Sequence, residues 1–82
     1  MDYELARFVA AKAFRCSAEL TDLVPLLKEF VSDGDEYKTY AKTISHVSAQ
    51  INLVLLKELY VRYPQIEQEF NDNMQKYHFV LY

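Results

Sequence analysis

The side chains best equipped for chemistry in this chain are two histidines, His46 and His78, one cysteine, Cys16, and a scattered set of carboxylates. A catalytic or metal site shows itself in sequence only when such groups recur at motif distances. They do not recur here. No Glu-x-x-His pair of the kind that holds two metals inside a helical bundle is present, and no Cys/His cluster has zinc spacing. His46 lies roughly opposite the apolar line of its own helix and is expected to be solvated. His78 sits in an apolar tail, where a packed or interfacial place is expected. Cys16 falls on the apolar stripe of the first helix, which predicts a small buried residue of blunted reactivity. The acids group as Asp33, Asp35 and Glu36, then Glu58, then Glu67, Glu69 and Asp72. These read as solvated helix faces and favourable charges near helix starts. No enzyme activity, metal or cofactor is expected.

Phosphate recognition has as little to work with. Nine Lys and Arg stand against twelve Asp and Glu, for a formal net charge of −3. The stretch from Ala41 to Leu55 resembles a helix-turn-helix in spacing, yet no glycine breaks it and no Lys or Arg occurs between Thr43 and Leu56. Nucleic acid is therefore not an expected partner. Asp2 and Glu4 occupy the place of a basic leader, and no run of about 18 uncharged residues occurs, so neither export nor membrane spanning is expected. With one cysteine available, a reducing compartment, the cytoplasm, is the expected location.

The elements that carry these residues follow from punctuation and periodicity. The 82 residues are expected to form a single domain, residues 1–82, and 51% of them are apolar. One glycine, Gly34, and two prolines, Pro25 and Pro64, leave few places to reverse the chain, which predicts a few long helices. From Leu5 to Val31, apolar residues recur at three-four spacing through Phe8, Val9, Ala13, Cys16, Leu20, Leu23, Val24, Leu27 and Phe30. The phase continues across Pro25, so the first helix, about residues 3 to 32, is either kinked there or split into two. Ser32-Asp33-Gly34-Asp35 is the clearest turn, with Gly34 suited to a left-handed helix end and Asp33 or Asp35 suited to cap the next start.

A second helix is predicted over residues 35 to 63. Tyr37, Tyr40, Ile44, Val47, Ile51 and Val54 form a narrow heptad seam in its first half. In its second half, Leu53 to Tyr63 is apolar on nearly every side, with Glu58 and Arg62 marking the wet strip as an exposed ion pair. Pro64 suits the first turn of a third helix, about residues 64 to 78, whose stripe is Ile66, Phe70, Met74, Tyr77 and Leu81. The closing six residues are too apolar for a solvated tail.

The predicted fold is all-α: an antiparallel hairpin of two long helices with a C-terminal third helix packed back on it, forming a helical bundle by dimerisation. More apolar surface is present than one copy of such a fold hides. The interface candidates are Tyr3, Ala10, Phe14 and Ala18 on the back of the first helix, Leu53, Leu56 and Tyr60 on the second, and Phe79 and Leu81 in the tail. Either a second subunit or the third helix and tail could cover the back of the first helix. These features point to a protein–protein interaction module, an adaptor, regulator or small chaperone-like subunit that associates with itself or with another protein. The alternative is a bundle holding an apolar small molecule between helices, with Tyr37, Tyr40 and Tyr60 supplying polar groups.

Overall fold

The computed structural model describes residues 1 to 78 and residue 80. Every regular element in them is helical, and no helix among them is long and apolar enough to cross a membrane. The first, α1, spans Tyr3–Phe30 and runs unbroken through Pro25. It is started by Asp2, whose carboxylate accepts the Leu5 N–H at 2.8 Å, and it carries Glu4 in its first turn and Lys28 in its last, charges that suit the helix dipole. It ends at Val31 in extended backbone, the Val31 N–H donating to the Leu27 carbonyl at 2.8 Å. Gly34 is not the left-handed terminator that its type suggested. It is the first residue of α2, Gly34–Gln50, and Asp33 ahead of it caps the N–H groups of Asp35 and Glu36. Among the described residues the left-handed position belongs to His78, φ 65°, which closes the last helix.

A π-helical turn, Ile51–Leu56, joins α2 directly to α3, Lys57–Arg62, so residues 34 to 62 form one continuous rod. The turn has a clear consequence. In α geometry each residue advances about 100°, so the line that enters as Tyr37, Ala41, Ile44, Ser48 and Ile51 would continue through Leu55, Glu58 and Arg62. A π turn adds one residue and rotates all that follows by about 100°. The line then continues through Leu56, Leu59 and Tyr63, which are buried, buried and half-buried, and Glu58 and Arg62 are left in solvent, paired at 2.8 Å.

The first helix presents the matching line. Ala6, Ala10, Ala13, Ser17, Leu20, Val24, Leu27 and Val31 alternate four and three apart, and each is buried or half-buried. The two lines meet at Ser17 and Ser48, whose hydroxyls lie 2.7 Å apart. This corrects both predicted seams. Of the first-helix stripe, Leu5, Phe8, Cys16, Leu23 and Phe30 face solvent, and of the second-helix seam, Tyr40, Val47 and Val54 do. Alanines and serines let two helix backbones approach closely, so the small residues hold the inner position and the larger ones flank it.

The last helix, α4, spans Pro64–Tyr77 with Pro64 in its first turn. It seals one end of the molecule. Ile66 and Phe70 join Ala6, Ala10, Ala11, Leu56, Leu59 and Val80 in the fully buried core, and the Phe70 ring stands edge-on to Phe14 and Tyr60 at 5.8 and 6.3 Å. Asn73 takes the half-buried place predicted for Met74, which is 39% exposed. All fully buried apolar side chains among the described residues lie at this end; none falls between residues 12 and 55. The far half of α1 and α2 is a single layer of helices, and the principal extents of the molecule, 46 × 25 × 16 Å, reflect it.

Candidate functional site

Three surface features gather polar or apolar groups. The first is built where α4 crosses the start of α1. Arg7 Nε donates to both carboxylate oxygens of Glu69 at 2.9 Å, Arg7 Nη2 lies 2.8 Å from Glu69 Oε1, and the Tyr3 hydroxyl donates to Glu69 Oε2 at 3.4 Å. The hydrogen bond from Arg7 holds the Glu69 carboxyl below its usual range against the opposing effect of partial burial, with the Arg7 charge and the Tyr3 hydroxyl adding to it. Nearby, the Tyr63 hydroxyl donates to the Met1 carbonyl at 2.6 Å. Burial, and secondarily the Glu67 charge, pushes the Tyr60 phenol up, so it stays neutral. This cluster is a clamp between α1 and α4: its acid and base are engaged with each other.

The second is an open cleft of about 320 Å³ between α1 and the end of α2, lined by Phe14, Ser17, Ala18, Thr21, Asp22, Ser48 and Asn52. Its hydroxyls bond among themselves. Ser17 and Ser48 share a proton contact at 2.7 Å, Thr21 and Ser48 lie 3.2 Å apart, and Thr21 also donates to the Ser17 carbonyl at 3.0 Å. Among the described residues no histidine or carboxylate bonds any of the three.

The third is an apolar face. Leu5, Phe8, Leu23 and Leu26 are each 42 to 50% exposed, and Phe30 is 73% exposed, all on one side of α1. Lys12, Cys16 and Glu19 interrupt the stripe and are exposed too. On the second helix, Tyr40 and Val47 stand one heptad apart, similarly exposed beside the seam.

The sequence candidates distribute themselves across these features. Ala10 and Leu56 are fully enclosed by the chain itself, and Phe14 and Tyr60 are half-buried against Phe70, so α4 covers the back of α1 from within. Of the two covers that the sequence left open for this face, a partner or the C-terminal helix, α4 supplies one, which encloses Ala10 and Leu56 fully and Phe14 and Tyr60 in part. Tyr3 remains partly exposed but engages Glu69, Ala18 is exposed at the hydroxyl cleft, and Leu53 is exposed on the π turn. Phe79 and Leu81 lie outside the described residues. Val80 between them is buried in the core, and Tyr77 and His78 are exposed, so of the two places expected for His78, packed or interfacial, it does not take the packed one within this chain. Cys16 is exposed rather than buried, and His46 is exposed. Among the described residues no group of three or more His, Cys, Asp or Glu is placed to hold a metal ion.

Sequence reasoning missed Leu26 and the hydroxyl cluster, and it placed Leu23 and Phe30 on the wrong side. A signal was present in each case. Ala6, Ala10, Ala13 and Ser17 form a heptad of small residues beside the bulky one, and close helix packing selects the small one.

The accessible surface is 6091 Å². A folded monomer of 9.7 kDa exposes about 5100 Å², so this chain shows about 1000 Å² more than its mass requires. Its radius of gyration is 14.9 Å, against about 12 Å for a compact chain of this length.

No family model, curated protein or solved structure matches the chain.

Proposed function

We propose that this chain is a helix-to-helix interaction module, an adaptor or regulatory subunit whose business is done by the apolar face of α1 and the flank of α2. The reading takes the two long elements as an antiparallel hairpin, because only residues 31 to 33 connect them. In such a pair the exposed stripe of α1 and the Tyr40–Val47 flank lie on one side of the slab, away from α4. The observation that carries the reading is the surplus accessible surface, about 1000 Å², which is close to the roughly 800 Å² per partner of a standard protein interface. A single helical layer cannot hide both of its faces, and the half without α4 has no fully buried apolar side chain. In a reducing compartment such as the cytoplasm the exposed Cys16 stays a thiol.

The small-molecule reading has less support. The cleft between α1 and α2 is open, as is a second of about 480 Å³ beside Tyr3, Glu4, Arg7 and Phe8, and neither is lined by Tyr37, Tyr40 or Tyr60.

The test is site-specific photo-crosslinking in the cell of origin with a benzoylphenylalanine probe at Phe30, and a control probe at Lys38, outside the face. A covalent adduct with a second polypeptide from Phe30 alone is the expected result. No adduct from Phe30, together with a purified protein whose mass by light scattering is that of one chain, overturns the reading.

A further inference from the structure

The exposed stripe of α1 is self-complementary when read backwards. Over the span from Leu5 to Leu26, Leu5 matches Leu26, Phe8 matches Leu23, and Lys12 matches Glu19, each pair equidistant from the midpoint between Arg15 and Cys16, while Phe30 lies beyond the matched span. We infer that the occupant of this face is a second copy of the same chain, with the two α1 helices crossing antiparallel about a twofold axis between residues 15 and 16. The inference rests on the interaction-module reading and makes it specific.

Three observations carry it. A twofold interface requires that whatever residue meets another be met by it in turn, so the stripe must be symmetric about one point in spacing and complementary across it in chemistry. Here apolar side chains face apolar side chains at both ends, and the one acid and one base of the inner stripe fall opposite each other, giving two Lys12–Glu19 pairs between copies. Charge also excludes the other arrangement. Parallel packing would set Lys12 against Lys12 and Glu19 against Glu19, with like charges at both positions. Within one helix Lys12 and Glu19 are seven residues, about 10 Å, apart, and the Lys12 ammonium lies over the neighbouring Phe8 ring at 5.6 Å, so the stripe presents the cation and the aromatic ring side by side. Finally, the chain as a whole shows about 1000 Å² more surface than its mass requires, enough for one partner's share of a stable dimer, and the exposed stripe of α1 is part of it. Two further exposed apolar side chains, Tyr40 and Val47, lie beside the stripe and extend the contact to the second helix of each copy.

The charge pairs give a test with rescue. Lys12→Glu and Glu19→Lys, each alone, place two like-charge contacts in the interface and should raise the dimer dissociation constant about tenfold by sedimentation equilibrium. The double variant restores opposite charges in the swapped order and should return the constant to near the wild-type value. Both residues are exposed, so helical circular dichroism should be unchanged throughout. The native Cys16 supplies a second readout without mutation, because it is the chain's one cysteine and stands beside the axis. A short bismaleimide should join two copies through it, and Cys16→Ser should abolish the product. A dimer in which the double variant gives no rescue and Cys16 gives no cross-link overturns this pairing while the interaction reading stands. So does a Phe30 adduct whose second polypeptide is a different protein. A monomer with no Phe30 adduct overturns both.

Discussion

The π turn at Ile51–Leu56 corrects the phase of the helix, with a sharp consequence for changes of chain length. Deleting Val54, which is 59% exposed, makes the step from Ile51 to Leu56 four residues, or about 400° in α geometry, within 40° of the seam. Leu56 and Leu59 then stay buried, and the rod becomes an uninterrupted α-helix. Inserting one alanine after Val54 does the opposite. The step becomes six residues, which turns Leu56 and Leu59 away from their native directions by about 100° if the extra π residue is kept and about 160° if it is lost. Both side chains are nearly fully buried, and expelling each costs about 1.5 to 3 kcal/mol, so the insertion should cost about 3 to 6 kcal/mol. That approaches the whole stability of a small domain. The deletion should change stability by no more than about 1 kcal/mol, because the lost side chain is mostly solvated. Guanidinium titration followed by far-ultraviolet circular dichroism compares the three proteins directly. If deletion and insertion are equally damaging, the turn is not correcting phase and the argument for it fails.

Other changes test the packing. Phe14→Asp should unfold the chain or lower its melting temperature sharply, since its ring meets Phe70 inside the molecule, and it should not yield a stable folded monomer; thermal melts with light scattering check this. Pro25→Ala restores an N–H within α1 and should raise stability by about 1 to 3 kcal/mol, read by chemical denaturation. Glu69→Gln should cost at most about 1 kcal/mol, because the Arg7–Glu69 pair is partly solvated. The folded Glu69 carboxyl titrates below its unfolded value, so the contribution of the pair is present above pH of about 4.3 and is lost as pH falls through the lower folded value. Acid unfolding curves of the wild type and Glu69→Gln should therefore converge at low pH.

Much of the fold could be read from local chemistry. Asp2 and Asp33 cap helices and Pro64 opens one because these preferences act over a single turn, independent of what packs nearby. The all-helical class followed from long periodic runs with one glycine and two prolines to interrupt them, and the exposed Glu58–Arg62 pair followed from four-residue spacing. The candidate site was less legible. Phe14, Ala10, Leu56 and Tyr60 were correctly seen as surplus to a two-helix packing, but whether α4 or a partner covers them depends on where the chain returns after Pro64.

Which stripe of α1 faces inward is a tertiary decision. Two adjacent lines share the helical period, one of Leu and Phe and one of Ala and Ser, and hydrophobicity alone favours the bulky line. Close approach of two backbones favours the small one, a term that exists only once a second helix is present. The π turn is decided the same way. Nothing local favours the extra residue at Ile51–Leu56, yet the α alternative would direct Glu58 and Arg62 into the seam and leave Leu56 and Leu59 outside it. Sequence set the period, the caps and the helix ends, because those depend on neighbours within a turn. Tertiary structure set the phase, because the free energy of burial belongs to pairs of surfaces and not to either helix alone.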